Sequence, residues 1–323
     1  MKSPLASDLT GIAVVLVLAV GGFILFPDNL AFLAGMMAVI LLVVSLDLVS
    51  GVCGVASLGQ AALFGAGAYG AGIAAANGLG DPLLLLGIGL VAGAVAGLAT
   101  GAIILRAHGL PQLVLSIALV ELAHEAVNKA SFITGGSDGL TGIRISPLLG
   151  VFAFDLWGVT AYWLSVAVVV VVLVVLRRLV RAPFGMLCRG LRQSPVRVAS
   201  LGQRAYPVAL KMYVIAGGVA GLGGALRAIS TQVVGLDSVS FTLSAEALVM
   251  LIVGGTGTIF GAATGAFVFE WMEHIVSVAN PFHWLAIVGA LLIAVVLFAP
   301  HGLYGSTARW LHERRMRAPR ADE

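Results

Sequence analysis

From Gly11 to Phe26, from Leu30 to Leu46, from Pro82 to Leu105 and from Val159 to Leu176, the chain carries no charged side chain. Apolar runs of about 20 residues, coiled as helices, match a hydrocarbon layer and satisfy their own backbone hydrogen bonds inside it. The pattern predicts an all-α fold, a polytopic membrane helical bundle forming a single domain over 1–323. Of the 323 residues, 60% are hydrophobic and 10% charged, where soluble chains carry roughly 25% charged. No water-soluble core absorbs that excess.

Apolar runs and polar breaks give about ten spans: 9–27, 30–50, 55–77, 83–105, 110–130, 159–177, 207–229, 243–259, 262–279 and 283–300. Eight is the alternative if 243–259 and 262–279 form a re-entrant pair. The first run ends at Phe26-Pro27-Asp28 without a small-residue cleavage site and is read as a retained span. Basic residues set the orientation. Lys2, Arg106, the group from Arg177 to Lys211, and the tail 301–323 with Arg309, Arg314, Arg315, Arg317 and Arg320 fall on one side. Only Lys129, Arg144 and Arg227 do not. Both termini are then cytoplasmic, and the long loop 131–158 is external. The net charge of +3 reflects this bias rather than a nucleic-acid partner. Cys53 and Cys188 both fall near the cytoplasm, where a structural disulfide is not expected.

Glycine contributes 42 residues. Gly89, Gly93, Gly97 and Gly101 form a four-residue ladder, Gly257, Gly261 and Gly265 a shorter one, and Gly217 with Gly221 a pair; such stripes let helices approach closely in lipid. Two other stretches are interrupted by glycine instead, Ser57 to Gly67 and Val253 to Thr258. One such break in each half points to an internal repeat with a translocation path at its interface. Ionisable groups inside spans mark such paths. Asp47, Glu121 and Glu246 are candidates, with Ser57, Gln60, Gly254 and Gly255 beside the breaks. Glu121 with His124 and Glu273 with His274 read either as helix-to-helix hydrogen bonds or as parts of a metal site of the Glu-x-x-His kind. No phosphate-binding loop, nucleophile elbow or zinc-binding helix occurs, so enzyme chemistry is not expected.

Between the sixth and seventh spans, the segment 184–206 has its own helix punctuation. One short helix is expected from Gly185 to Gln193, and a second with Ser194 as N-cap, Pro195 at its first position and Gly202 as its stop. From spacing alone it suits either a groove on another protein or a layer of lipid headgroups.

Four blocks, in order, resemble one family. Ser57-Leu58-Gly59-Gln60 through Tyr69 resembles its early glycine-rich block, with Gln60 where His is common. Glu121 to Asn128 with Thr134 to Ile143 resembles its fifth span and outer loop. Phe184-Gly185 through Arg189, Arg192 and Leu201-Gly202 resembles its ATPase-coupling segment, with Gln193-Ser194-Pro195 where acidic residues are frequent. Phe241 to Glu246 through Gly254-Gly255 and Gly261 resembles its late block. From about Leu42 to Gly305 the sequence is similar to permeases of the branched-chain amino acid ABC importers, of the LivM type.

The resemblance implies a type II-like importer permease in a bacterial inner membrane. Its partners would be a second related permease, two cytoplasmic ABC ATPases and a soluble extracytoplasmic solute-binding protein. ATP and Mg would sit on the ATPases, with no cofactor on this chain. Coupling would involve Phe184, Gly185, Arg189, Arg192, Ser194, Pro195, Leu201 and Gly202. The competing reading is a stand-alone secondary transporter or channel that uses its intramembrane carboxylates.

Overall fold

A helix that is apolar on every side has no solvated face and must be covered all round. In the computed structural model this holds for α1 (Leu30–Leu46), where every residue after Phe32 is buried. The structure describes residues 21–23, 26, 29–148, 150, 152, 154, 158–279, 289 and 293. The expected spans 9–27 and 283–300 fall almost wholly outside them, and the tail 301–323 entirely so.

Around α1 stand α2 (Gln60–Ala76), α3 (Pro82–Ile104), α4 (Leu110–Lys129), α5 (Val159–Arg181) and α8 (Ala205–Thr231), followed by α9 (Phe241–Gly254) and α10 (Ile259–Ala279). Two short helices, α6 (Pro183–Gln193) and α7 (Pro195–Ser200), lie between α5 and α8. Among the described residues no strand forms; of two isolated bridges, Leu148 with Phe152 is local, and in the other Leu140 and Val234 exchange backbone hydrogen bonds of 2.8 and 3.1 Å. It fastens the loop after α4 to the connection after α8.

Among the described residues, five helices are long and apolar enough to cross a membrane: α1 with its extension to Val52, α3, α4, α5 and α8; α9 and α10 form a pair bent by 115°. With 14 residues, α9 is only about 21 Å long. It starts beside the middle of α2, where a Cβ on Gly65 would overlap Val239, and ends beside the extension of α1. From there α10 returns toward the start of α1, and His274 stacks on Phe32 with ring centroids 4.1 Å apart.

The axle of the bundle is α8, which meets three neighbours at backbone distance through three sets of glycines. Gly217 and Gly221 face the α3 ladder: a Cβ on Gly221 would stand 2.8 Å from the Gly93 Cα, and one on Gly97 3.0 Å from the Tyr213 carbonyl. A Cβ on Gly223 would lie 2.7 Å from the Ala38 carbonyl of α1, and one on Gly224 would lie 2.7 Å from the Ala68 nitrogen of α2. Lipid supplies no hydrophobic drive between helices, so such close approach and the dispersion contacts it brings hold them together. On the other side of α3, Leu83, Val91, Val95 and Leu98 are exposed. The expected ladder Gly257–Gly261–Gly265 is shorter in the structure: Gly261 and Gly265 pack against Gly254, while Gly257 sits in the turn between α9 and α10 with φ of +85°.

Gly221→Val should lower stability in detergent micelles by about 3 kcal/mol, because backbone on α3 occupies the added volume. Gly87→Ala, on the same helix as the ladder but with nothing within 4 Å of its Cβ position, should cost nothing and gain up to about 1 kcal/mol. Thermal unfolding of the purified variants checks both.

Candidate functional site

Helices in an apolar medium end at a cost, since freed N–H and C=O groups find no water. This chain ends two of them inside the bundle, and the polar side chains gather there. At the first break, α1 loosens into a π-helical turn, Asp47–Val52, and the backbone then runs without helix to Gly59 before α2 begins. The start of α2 is capped from two other helices and from the segment that leads into it. The Leu58 N–H donates to the Ser116 hydroxyl of α4 at 2.9 Å, and the Ala61 N–H to the Ser244 hydroxyl of α9 at 3.0 Å. The Gly59 N–H donates to Ser57 Oγ at 3.1 Å, which shares a 3.2 Å hydrogen bond with the Tyr213 hydroxyl of α8. Gln60 is fully buried; its Oε1 accepts from Ser45 at 3.4 Å, and its Nε2 has no partner among the described residues.

At the second break α9 ends on Gly255, φ +103°, and α10 starts at Ile259. Asp47 joins the two breaks across 210 residues of sequence: its Oδ1 accepts from the Gly257 N–H at 2.6 Å, while Oδ2 is buried without a partner among the described residues. A hydrogen bond from a backbone donor to an ionised acceptor is among the stronger kinds, and here it fixes the turn onto α1.

Beneath this junction lies α6. Its Gly185, Cys188 and Leu191 are buried and Arg189 is exposed. Gly185 backs onto the Val180 backbone, where a Cβ would not fit, and Phe184 packs partly buried against the core. Arg192 is exposed as a residue, yet its Nη1 donates to the Gly51 carbonyl in the π-helical turn. The capping signals for α7 stand where the sequence puts them: Ser194 Oγ accepts from the Arg197 N–H, Pro195 opens the helix, and Gly202 follows it with φ of +78°. Leu201 is 76% exposed, an apolar side chain left uncovered beside the basic face.

The structure thus brings together Asp47, Arg192 and the turn after Gly254-Gly255, and places Ser57 and Gln60 at the neighbouring break. Two candidates stand apart. Glu121 is exposed on α4, whose face also carries exposed Glu125, ion-paired to Lys129 at 3.2 Å. Glu246 is half-buried on α9 and feels the charges of Glu270 and Glu273 on α10. Among the described residues, no three His, Cys, Asp or Glu side chains converge as a metal site would need. The sequence reading missed Ser116, Tyr213 and Gly51. A lone serine or tyrosine in an apolar run carries no signal until its partner is known.

Ser116→Ala and Ser244→Ala should each strand a buried N–H and cost about 1–3 kcal/mol, read as earlier thermal unfolding. Ser137→Ala, at an exposed position, should leave unfolding unchanged.

Residues 29–296 match the family model described as "Branched-chain amino acid transport system / permease component". The chain is 27% identical over 295 residues to "High-affinity branched-chain amino acid transport system permease protein LivM" of Escherichia coli (strain K12), covering 84% of this chain and 68% of that protein. The LivM permease of Salmonella typhimurium is similar at 27% identity over 296 residues, again 84% and 68%. The "Probable branched-chain amino acid transport permease protein LivM" of Methanocaldococcus jannaschii is 22% identical over 243 residues, 69% of this chain and 70% of that protein. No solved structure matches.

Proposed function

The chain belongs to the permease component family of branched-chain amino acid transport systems, and from that premise we propose that it is the membrane subunit of an ATP-driven importer for branched-chain or related amino acids. One observation supports this reading above the others. A short helix outside the spans, α6, presents exposed Arg189 on one side and on its other side holds the junction of both helix breaks. A helix placed in that way can receive a push from a partner and deliver it to the bundle.

On this reading the arginine-rich end is cytoplasmic, and α6 and α7 with exposed Val196 and Leu201 enter a groove on one of two ABC ATPases, where ATP and Mg are held. Phe184 and Gly185 seat α6; Ser194, Pro195 and Gly202 set the angle of α7 to it. The opposite end, with the loop 131–158 pinned to Val234, receives a solute-binding protein. We propose ten crossings with both termini inside: α9 would complete one together with the segment from Gln232 to Ser240 that leads to it, α10 would form the next, and the sequence runs 9–27 and 283–300 would supply the first and last.

The exposed face of α4 calls for a neighbour. Leu110, Val114 and Leu122 are exposed on it, but so are Glu121 and Glu125, and carboxylates are costly against lipid. A second, related permease packed there would shield them and leave a polar path between subunits. Glu121 would line that path with Glu246, while Gln60 and Ser57 border it at the break of α2. Solute would move by alternating access as the ATPases close.

Arg189→Glu should weaken co-purification of the ATPase by at least about tenfold, since a reversed charge in an interface costs several kcal/mol, while the permease itself unfolds at its normal temperature. Uptake into vesicles that contain this chain but no ATPase would overturn the reading in favour of a secondary transporter working through Asp47, Glu121 or Glu246.

A further inference from the structure

Of the two arginines on α6, only Arg192 reaches into the bundle. We infer that it is a positioning residue for transport: it grips the π-helical turn of α1 so that a displacement of α6 is carried to the turn between α9 and α10. The inference rests on the reading of the chain as an ATPase-coupled permease, and concerns how force passes through it.

Four segments meet at this point, and glycines remove the slack between them. A Cβ on Gly54 would stand 2.9 Å from the Arg192 Cα, so α6 lies directly on the chain after the π-helical turn. At Gly257 a Cβ would stand 2.9 Å from Arg192 Nη1, and on Gly51 it would overlap the Asp47 carboxylate and stand 2.5 Å from the Gly257 nitrogen. A methyl group at Gly54 or Gly51 would meet backbone, and one at Gly257 would meet the guanidinium itself, so the guanidinium touches both breaks at once.

Each hydrogen bond answers a backbone need. Gly51 lies in the last turn of its helix, where carbonyls have lost their intrahelical partners and a cation is favoured; Arg192 Nη1 donates to it. Gly257, at φ +85°, has a free N–H in the turn, and Asp47 Oδ1 accepts it. The path therefore runs from α6 through Arg192 to Gly51, through the one turn of π-helix to Asp47, and on to Gly257. A single π-helical turn is a break in the regular ladder and a common place for movement. One turn back along the same face of α6, Cys188 is buried, as is Cys53 after the π-helical turn, so this face of α6 lies against the bundle. Asp47, fixed by its own helix, thus holds the α9–α10 turn by a hydrogen bond, and Arg192, fixed by α6, stands against the same turn at Gly257.

The test uses the full complex of permeases, ATPases and binding protein in proteoliposomes, with solute uptake, ATP hydrolysis, ATPase content and thermal unfolding measured on each preparation. Arg192→Ala should keep its ATPase and its hydrolysis, and should lose at least about tenfold in solute moved per ATP, within the usual range of coupling energies between sites. Arg192→Lys, which can still donate to Gly51, should recover part of that ratio. Gly257→Ala, which displaces the guanidinium without removing it, should reproduce the loss. An Arg192→Ala complex that sheds its ATPase would make this residue a docking contact and overturn the inference. Equal loss of hydrolysis and uptake, or an unchanged ratio in both Arg192→Ala and Gly257→Ala, would overturn it as well. Uptake by the wild-type chain with no ATPase present would instead remove the permease reading on which the inference stands.

Discussion

An unpaired peptide group in a hydrocarbon layer costs several kcal/mol, and the arrangement of this bundle follows from how two helix breaks avoid that cost. Neither break could exist alone. The N–H groups at the start of α2 are met by hydroxyls from α4 and α9, and the N–H of Gly257 by a carboxylate on α1. Each break is a local defect repaired by distant elements, so the positions of α1, α4, α8 and α9 are fixed relative to one another by polar contacts. Apolar packing then fills the space between.

Glycine has two separate duties in this scheme. On α3 and α8 it removes side chains so that backbones touch, which makes a stiff frame of α1, α2, α3 and α8. At Gly255 and Gly257 it provides positive φ, so that α9 can end and α10 begin within a few residues.

How much of this could be read in the sequence depends on the range of the interaction concerned. The helices of the bundle follow from apolar runs, and α7 from a serine, a proline and a glycine within nine residues of one another, because caps are local. Asp47 could be singled out as a charge in an apolar run, but its partner is a backbone N–H with no side-chain signature. Arg192 looked equivalent to Arg189, since both lie on a short basic helix; only the fold shows that one carries its guanidinium to Gly51 while the other is exposed. The length of α9 was also hidden. Its apolar pattern runs past Gly254, and the turn that ends it is set by packing against Gly261 and Gly265 as much as by its own residues.

The pairing of Asp47 with a glycine turn also explains why a buried carboxylate is tolerated here at all. A charge in a span normally needs a countercharge or water. Asp47 is at the end of α1 nearest the basic segment, where Gly257 donates to one oxygen and the Arg192 guanidinium contacts the same turn. Its charge is therefore compensated by groups that belong to two different elements, the broken helix pair and α6. Separating either part from α1 would leave the carboxylate less compensated, which biases the junction toward remaining closed.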